Sequence, residues 1–321
     1  MGGAGGKIFK LAGLKVYVAG HRGMAGSALV RRLGREDCEI LSADHDSLDL
    51  RRQADVETWF AAQRPDVVIL AAGTVGGILA NATRPAEFIF DNLAIETNVI
   101  NAAHRTGVSK LLFLGSSCIY PREASQPIDE DQLLAGPLEP TNQWYAIAKI
   151  AGIKMAEAYR AQYGADFVSV MPTNLYGPGD NFSLASAHVL PALMRKAYEA
   201  RESGAETLAV WGSGRPRREF LFVDDFADAC VFVLKNYSGA PFLNVGTGED
   251  IAIRELAERI AAVTGFTGGL NFDASKPDGM LRKQLDVSRL AELGWTASTR
   301  LENGLEQTYR WFAANLATLR R

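Results

Sequence analysis

Tyr145 and Lys149 are four residues apart in YAIAK, inside a helical pattern over 142–163. That spacing puts both on one helix face. There the ammonium can lower the phenol's pKa and hold a ribose, while the phenol exchanges a proton with substrate. Ser116-Ser117-Cys118 follow the apolar run KLLFLG (110–115), so the Ser116 hydroxyl can reach the same substrate oxygen from a strand end. The set suits acid/base work in hydride exchange between a ketone and an alcohol.

A nucleotide must then be held nearby, and Gly20-His21-Arg22-Gly23-Met24-Ala25-Gly26 between the run KVYVAG and an apolar helical stretch offers the loop. Gly20 permits the tight turn, Gly23 lets backbone approach a pyrophosphate, and Gly26 lets the helix pack closely, with the helix N-terminus facing the phosphates. Cofactor choice has two pulls. Arg22 can reach the 2′-phosphate of NADP, whereas Asp44, past the second strand, can take the 2′-OH of NAD or simply face solvent. Asp49 and Leu50 can meet the adenine.

Short apolar runs at 15–20, 38–41, 67–72, 110–115 and 167–172 alternate with helical patterns at 24–34, 51–63, 86–106 and 142–163. Such alternation predicts an α/β fold, a doubly wound parallel sheet of Rossmann type covered on both faces. Past residue 173 it gives way to a Gly/Pro/Asn-rich stretch, a helix near 189–202, a strand LAVWG, and FLFV and FLNV, expected as further strands of the first sheet. Two helical stretches flank the loop DASKPDGMLRK. We expect a leader (1–13), flexible and Gly-rich, a cofactor domain (14–176 with 220–248) and a smaller α/β substrate lobe (177–219 with 249–321), with the crevice between them.

The chain has 321 residues and net charge −3, with no long basic run, which argues against nucleic acid as a partner. Its apolar runs are too short to span a bilayer. Cys38, Cys118 and Cys230 are odd in number and far apart, which points to a reducing, cytoplasmic setting and to no metal site; Cys38 and Cys230 sit in apolar patterns as core residues.

The motifs AGHRGMAGSA (19–28), VGGILAN (75–81), LFLGSSCIYP (112–121), LEPTNQWYAIAKIAGIK (138–154), MPTNLYGPGDNF (171–182), WGSGRPRREFLFVDD (211–225), NVGTG (244–248) and DASKPDG (273–279) occur in order. Through them the chain resembles the extended short-chain dehydrogenase/reductases over residues 14–315, and among these the members that act on GDP-4-keto-6-deoxy-D-mannose. The resemblance implies epimerisation at C3 and C5, then NADPH-dependent reduction at C4 to GDP-L-fucose. It implies cofactor contacts from residues 20–26, Asp49, Leu50, Ala71, Leu114, Gly115, Ser116, Ser117, Tyr145, Lys149, Pro172, Thr173, Asn174, Leu175 and His188. Substrate contacts are implied for Asn174, Lys196, Trp211, Arg218 and Asp278, with Arg217 and Lys283 as neighbours able to stand in. A homodimer through the helices at 86–106 and 142–163, forming a four-helix bundle, is implied as well.

Protons on C3 and C5 of a 4-keto sugar are acidified by the carbonyl, and inverting both centres needs two groups on opposite ring faces. By the same resemblance Cys118 is the base and His188 the acid; the plainer readings are a packing cysteine and a helix-capping histidine. SADHD (42–46) replaces basic residues found in some members, which leaves NAD(H) open beside NADP(H), and Thr74 stands where relatives carry Lys or Met. The alternatives are a related GDP-sugar epimerase/reductase making colitose or a deoxyheptose, and a non-catalytic nucleotide-binding protein. The latter predicts loss of Tyr145, Lys149 or Cys118, and all three are present.

Overall fold

The computed structural model describes residues 8–276 and 278–319. The first half runs β1 (Lys15–Ala19), α1 (Met24–Leu33), β2 (Glu39–Leu41), α2 (Gln53–Gln63), β3 (Val67–Leu70), α3 (Ile78–Thr83), α4 (Pro85–Arg105), β4 (Lys110–Leu114), α5 (Gln143–Tyr163) and β5 (Phe167–Pro172). The second half runs β6 (Asn174–Tyr176), α6 (Val189–Ser203), β7 (Thr207–Trp211), β8 (Arg217–Phe222), α7 (Val223–Asn236), β9 (Leu243–Val245), β10 (Asp250–Ala252), α8 (Ile253–Thr264), β11 (Gly269–Asp273), β12 (Arg282–Lys283), α9 (Ser288–Glu292) and α10 (Leu301–Asn315).

A six-stranded parallel sheet, ordered β2-β1-β3-β4-β5-β9, forms the main layer. Its central strands are mostly apolar and buried because both faces are covered. Tyr17, Val68, Leu70, Leu111 and Phe113 point into the face packed by α2, α4 and α5. Their neighbours Val16, Val18, Val67, Ile69 and Leu112 point the other way, against α1 and α7. This alternation follows from the two-residue period of a strand.

The expected strand FLFV is not in that sheet. It lies in β8, which pairs with β6, β10 and β12 in a second sheet. Phe220 and Phe222 enter the core of the second lobe, whereas Leu221 and Val223 enter the core of the first. A strand buried between two lobes therefore carries the same unbroken apolar run as a central strand. FLNV, as β9, does join the first sheet.

Three smaller differences stand out. Packing begins inside the expected leader, for Phe9 N donates to the Lys235 carbonyl at 2.8 Å and Leu11 is buried; residues 1–7 lie outside the described residues. Cys230 is buried as expected, but Cys38 is only half-buried beside β2. Among the described residues the tail beyond 252 holds three helices rather than two. Among the described residues no helix is long and apolar enough to cross a membrane.

Candidate active site

The glycine turn connects β1 to α1. Gly20 has φ +86°, and a Cβ there would stand 2.7 Å from the Ala72 backbone, so residues Ala71 and Ala72 after β3 close directly on the turn. At Gly26 a Cβ would stand 2.1 Å from the Gly20 carbonyl oxygen, which only glycine permits. Gly23 meets nothing closer than 3.4 Å, so its missing side chain leaves room for a ligand rather than for the protein. The helix α1 has neither a capping side chain nor an acid in its first turn. Its first N–H groups are therefore available to a diphosphate, and the residues present fit a dinucleotide.

Arg22 Nη2 donates to Asp44 Oδ2 at 2.7 Å, and His21 Nε2 lies 3.2 Å from Asp44 Oδ1. The two opposed selectors of the ribose are thus bound to each other. Asp49 is held by Arg51 at 2.9 Å, which pulls its carboxyl down to about 2, and the Leu50 side chain belongs to the core.

Beyond β4 the chain forms a short turn, Ser117–Ile119, started by Ser116, whose Oγ accepts from Cys118 N at 3.4 Å. The Ser116 hydroxyl also reaches the Tyr145 phenol and the Cys118 thiol, lowering both. Burial works in the opposite direction and is the largest influence on each, leaving phenol and thiol raised. Lys149 Nζ lies 5.8 Å from the centroid of the Tyr145 ring, on the same helix face as its spacing predicts. Its Nζ donates to the Leu114 carbonyl at 3.1 Å and pairs with Glu96 Oε1 at 3.1 Å, so its charge is compensated from α4. Glu96 is buried, and that burial pushes its carboxyl up to about 7 against the pull of Lys149.

Asn92, one turn before Glu96 on α4, is fully buried. Its Oδ1 accepts from Thr74 N at 3.2 Å, and its Nδ2 donates to the Thr74 carbonyl at 3.0 Å. This clamp fixes the loop after β3 between the glycine turn and Lys149, since a Cβ at Gly73 would lie 3.7 Å from Lys149 Nζ. Sequence reasoning missed Asn92 and Glu96; their one signal is polar residues on the buried stripe of an amphipathic helix.

The chain leaves β5 through Pro172 and Thr173 and changes sheets at Asn174 and Leu175. Asn174 Nδ2 and Thr173 Oγ1 both donate to the Glu219 carbonyl, at 2.8 and 3.2 Å. The Glu219 carboxylate, fully buried, accepts from the backbone N–H groups of Thr247, Gly248 and Leu285. It ties the loop after β9 to the segment carrying β12, another role the sequence did not reveal.

On β8 the strand period separates two arginines. Arg217 Nε donates to Asp250 at 2.6 Å, and Arg282 joins the same carboxylate. Arg218, on the opposite side, is paired in register with Lys283. Arg217 is therefore engaged by Asp250, whereas Lys283 lies beside Arg218. Asp278 accepts from Ser213 N and Oγ at 2.6 and 2.7 Å, a latch that holds the 278–279 loop next to Arg218. Lys196 Nζ lies 4.8 Å from the exposed Trp211 ring.

His188 is the N-cap residue of α6, but its ring makes no capping bond, which removes the plainer reading. Desolvation and the Lys283 ammonium both hold its imidazole below the ordinary value. Lys283 thus faces Cys118, His188 and Arg218 alike. Among the described residues no cluster of His, Cys, Asp or Glu could hold a metal ion.

The model of the NAD dependent epimerase/dehydratase family matches residues 16–246. GDP-L-fucose synthase of Sinorhizobium fredii is 56% identical over 97% of this chain and 99% of its own length. GDP-L-fucose synthase 1 of Arabidopsis thaliana is 58% identical, over 94% of each chain. Among solved structures, a GDP-L-fucose synthetase from Naegleria fowleri bound to NADP superposes with TM-score 0.90 at 30% identity, covering 98% of this chain and 99% of that one. A turn shaped for a dinucleotide, a Ser-Tyr-Lys group beside it, and this likeness from end to end lead to one conclusion: the chain belongs to the NAD-dependent epimerase/dehydratase family, in its GDP-L-fucose synthase branch.

Proposed function

We propose that this chain is a bifunctional enzyme that epimerises GDP-4-keto-6-deoxy-D-mannose at C3 and C5 and then reduces C4 to give GDP-L-fucose. The observation that carries it is one hydroxyl, Ser116, reaching both the Tyr145 phenol and the Cys118 thiol. A phenol alone serves a reductase; a thiol at the same oxygen's flank adds the deprotonation that epimerisation requires.

Residues 20–26, with Ala71, Leu114, Gly115, Ser117 and 172–175, hold the nicotinamide dinucleotide, which supplies a hydride equivalent for C4. Ser116 orients the C4 oxygen, and Tyr145 gives it a proton. Cys118 removes the proton at C3 and then at C5, each acidified by the adjacent carbonyl, and His188 returns a proton from the other face. Arg218 and Lys196 offer positive charge to the diphosphate, and Trp211 an aromatic face to the base.

NADP is the proposed cofactor, with Arg22 leaving Asp44 for the 2′-phosphate. The lobes divide the work, cofactor in 14–176 with most of 223–248, and GDP-sugar in the remainder. Exposed Phe90 on α4 and exposed Trp144 and Ile147 on α5 support a homodimer through these helices. Three free cysteines suit a cytoplasmic enzyme.

The test incubates the protein with GDP-4-keto-6-deoxy-D-mannose and either NADPH or NADH, and identifies the sugar formed. Cofactor oxidation with GDP-L-fucose as product is expected. No oxidation of either cofactor overturns the reductase reading, and a 6-deoxy sugar with unchanged C3 and C5 overturns the epimerase.

A further inference from the structure

Lys283 holds an unusual position for an ammonium. Strand β12 lies alongside β8 with Arg282 opposite Arg217 and Lys283 opposite Arg218. Side chains alternate along a strand, so Arg282 goes with Arg217 to the Asp250 carboxylate while Lys283 turns to the other face. On that face it enters a cavity of about 40 Å³ lined also by Ser117, Cys118, Asn142 and Glu139. Glu139 is engaged by Arg122 and by Thr141 at the cavity's outer wall.

Among the described residues, the one group that favours the charged form of Lys283 is Cys118; Arg218 opposes it. The dependence is mutual. Of the charged groups facing the thiol, Lys283 lowers it more than Lys149, whose charge is matched by Glu96. The other titratable neighbour, the Tyr145 phenol, is held well above its ordinary value by burial and then by the Cys118 charge, so it stays protonated and offers the thiol no opposing anion. A buried thiol without a cation would remain protonated and inert.

We propose that Lys283 is a positioning residue that keeps Cys118 reactive, its otherwise unmatched ammonium stabilising the thiolate across their shared cavity. The inference rests on the reading of Cys118 as the base, and it explains how a buried thiol can serve. The proton taken from C3 or C5 resides on sulfur, after which the ammonium faces the negative charge gathered on the sugar's C4 oxygen. The same cation keeps His188 from being protonated too early.

The experiment measures alkylation of Cys118 by iodoacetamide across pH 6–10 in the full chain, read at the peptide level so that Cys38 does not contribute. In Lys283→Met the alkylation midpoint rises by about one pH unit, which slows the reaction at pH 7.5 about tenfold, since the thiolate is the reacting form. Lys283→Arg restores most of the rate. Continued protection of Cys230 in each variant reports that the fold is intact. An alkylation profile identical to wild type in Lys283→Met, with only GDP affinity reduced, overturns the proposal and makes Lys283 a diphosphate ligand. A Lys283→Arg profile that matches Lys283→Met also overturns it, because charge is then not what matters. Full C3 and C5 exchange in Cys118→Ser would instead sink the reading of Cys118 as base, an outcome separate from the thiol titration.

Discussion

Arg22 and Asp44 form an ion pair at 2.7 Å directly over the glycine turn, with His21 on the second carboxylate oxygen. Arg22 is 72% exposed and Asp44 40%, so solvent screens the pair and it is worth at most about 1 kcal/mol. A phosphate dianion can therefore displace the carboxylate. The cost is a like charge left beside it.

Cofactor discrimination should follow from this exchange. In Asp44→Ala we expect NADPH to bind about fivefold tighter and NADH more weakly, because the repulsion and the ribose acceptor vanish together. Arg22→Ala should weaken NADPH roughly tenfold and NADH much less. Fluorescence titration of the reduced cofactors at fixed ionic strength measures both, and equal effects on the two cofactors would reassign Arg22 to general phosphate binding.

Removing the thiol should separate the two chemistries. With Cys118→Ser, solvent deuterium enters C3 and C5 about a hundredfold more slowly, in line with loss of a general base, while C4 reduction falls far less. Proton NMR of the nucleotide sugar in D₂O follows the exchange. Undiminished exchange removes Cys118 from the mechanism.

The Glu96–Lys149 pair predicts a pH dependence of stability. Burial holds the Glu96 carboxyl up at about 7, above its value in the unfolded chain, so the folded state retains a proton that the unfolded state releases. Its contribution is fully present below about pH 4.5 and is lost as pH rises to about 7. The Tm of wild type minus that of Glu96→Gln should fall across this range and level off above it. A difference that grows with pH would mean that Glu96 is ionised throughout.

Glu219 offers a purely structural test. Its carboxylate accepts three backbone N–H groups, and Glu219→Ala leaves all three without a partner, two of them part-buried and that of Leu285 fully buried. We expect a loss of about 3 kcal/mol or more in urea unfolding, with Glu219→Gln intermediate. A loss under about 0.5 kcal/mol would show that water replaces the carboxylate.

The amino-acid sequence alone determined the features whose physics is local. Three glycines between a strand and a helix, a tyrosine and lysine four apart, and alternating apolar runs need only near neighbours to be recognised. The first five strands and the helices α1, α2, α4, α5 and α6 lie where those patterns place them. Tertiary structure decided what depends on meetings across long stretches of chain. FLFV reads as a central strand because burial on two faces looks the same whichever sheet provides it, and only the pairing with β6, β10 and β12 assigns it to the second lobe. Lys149 turning to Glu96, Arg22 turning to Asp44 and Lys283 facing Cys118 are charge relationships at separations of 53, 22 and 165 residues, set by packing that brings distant elements together. No local spacing encodes such partners, so a sequence can name the groups that do chemistry while the fold chooses which of them hold one another's charge.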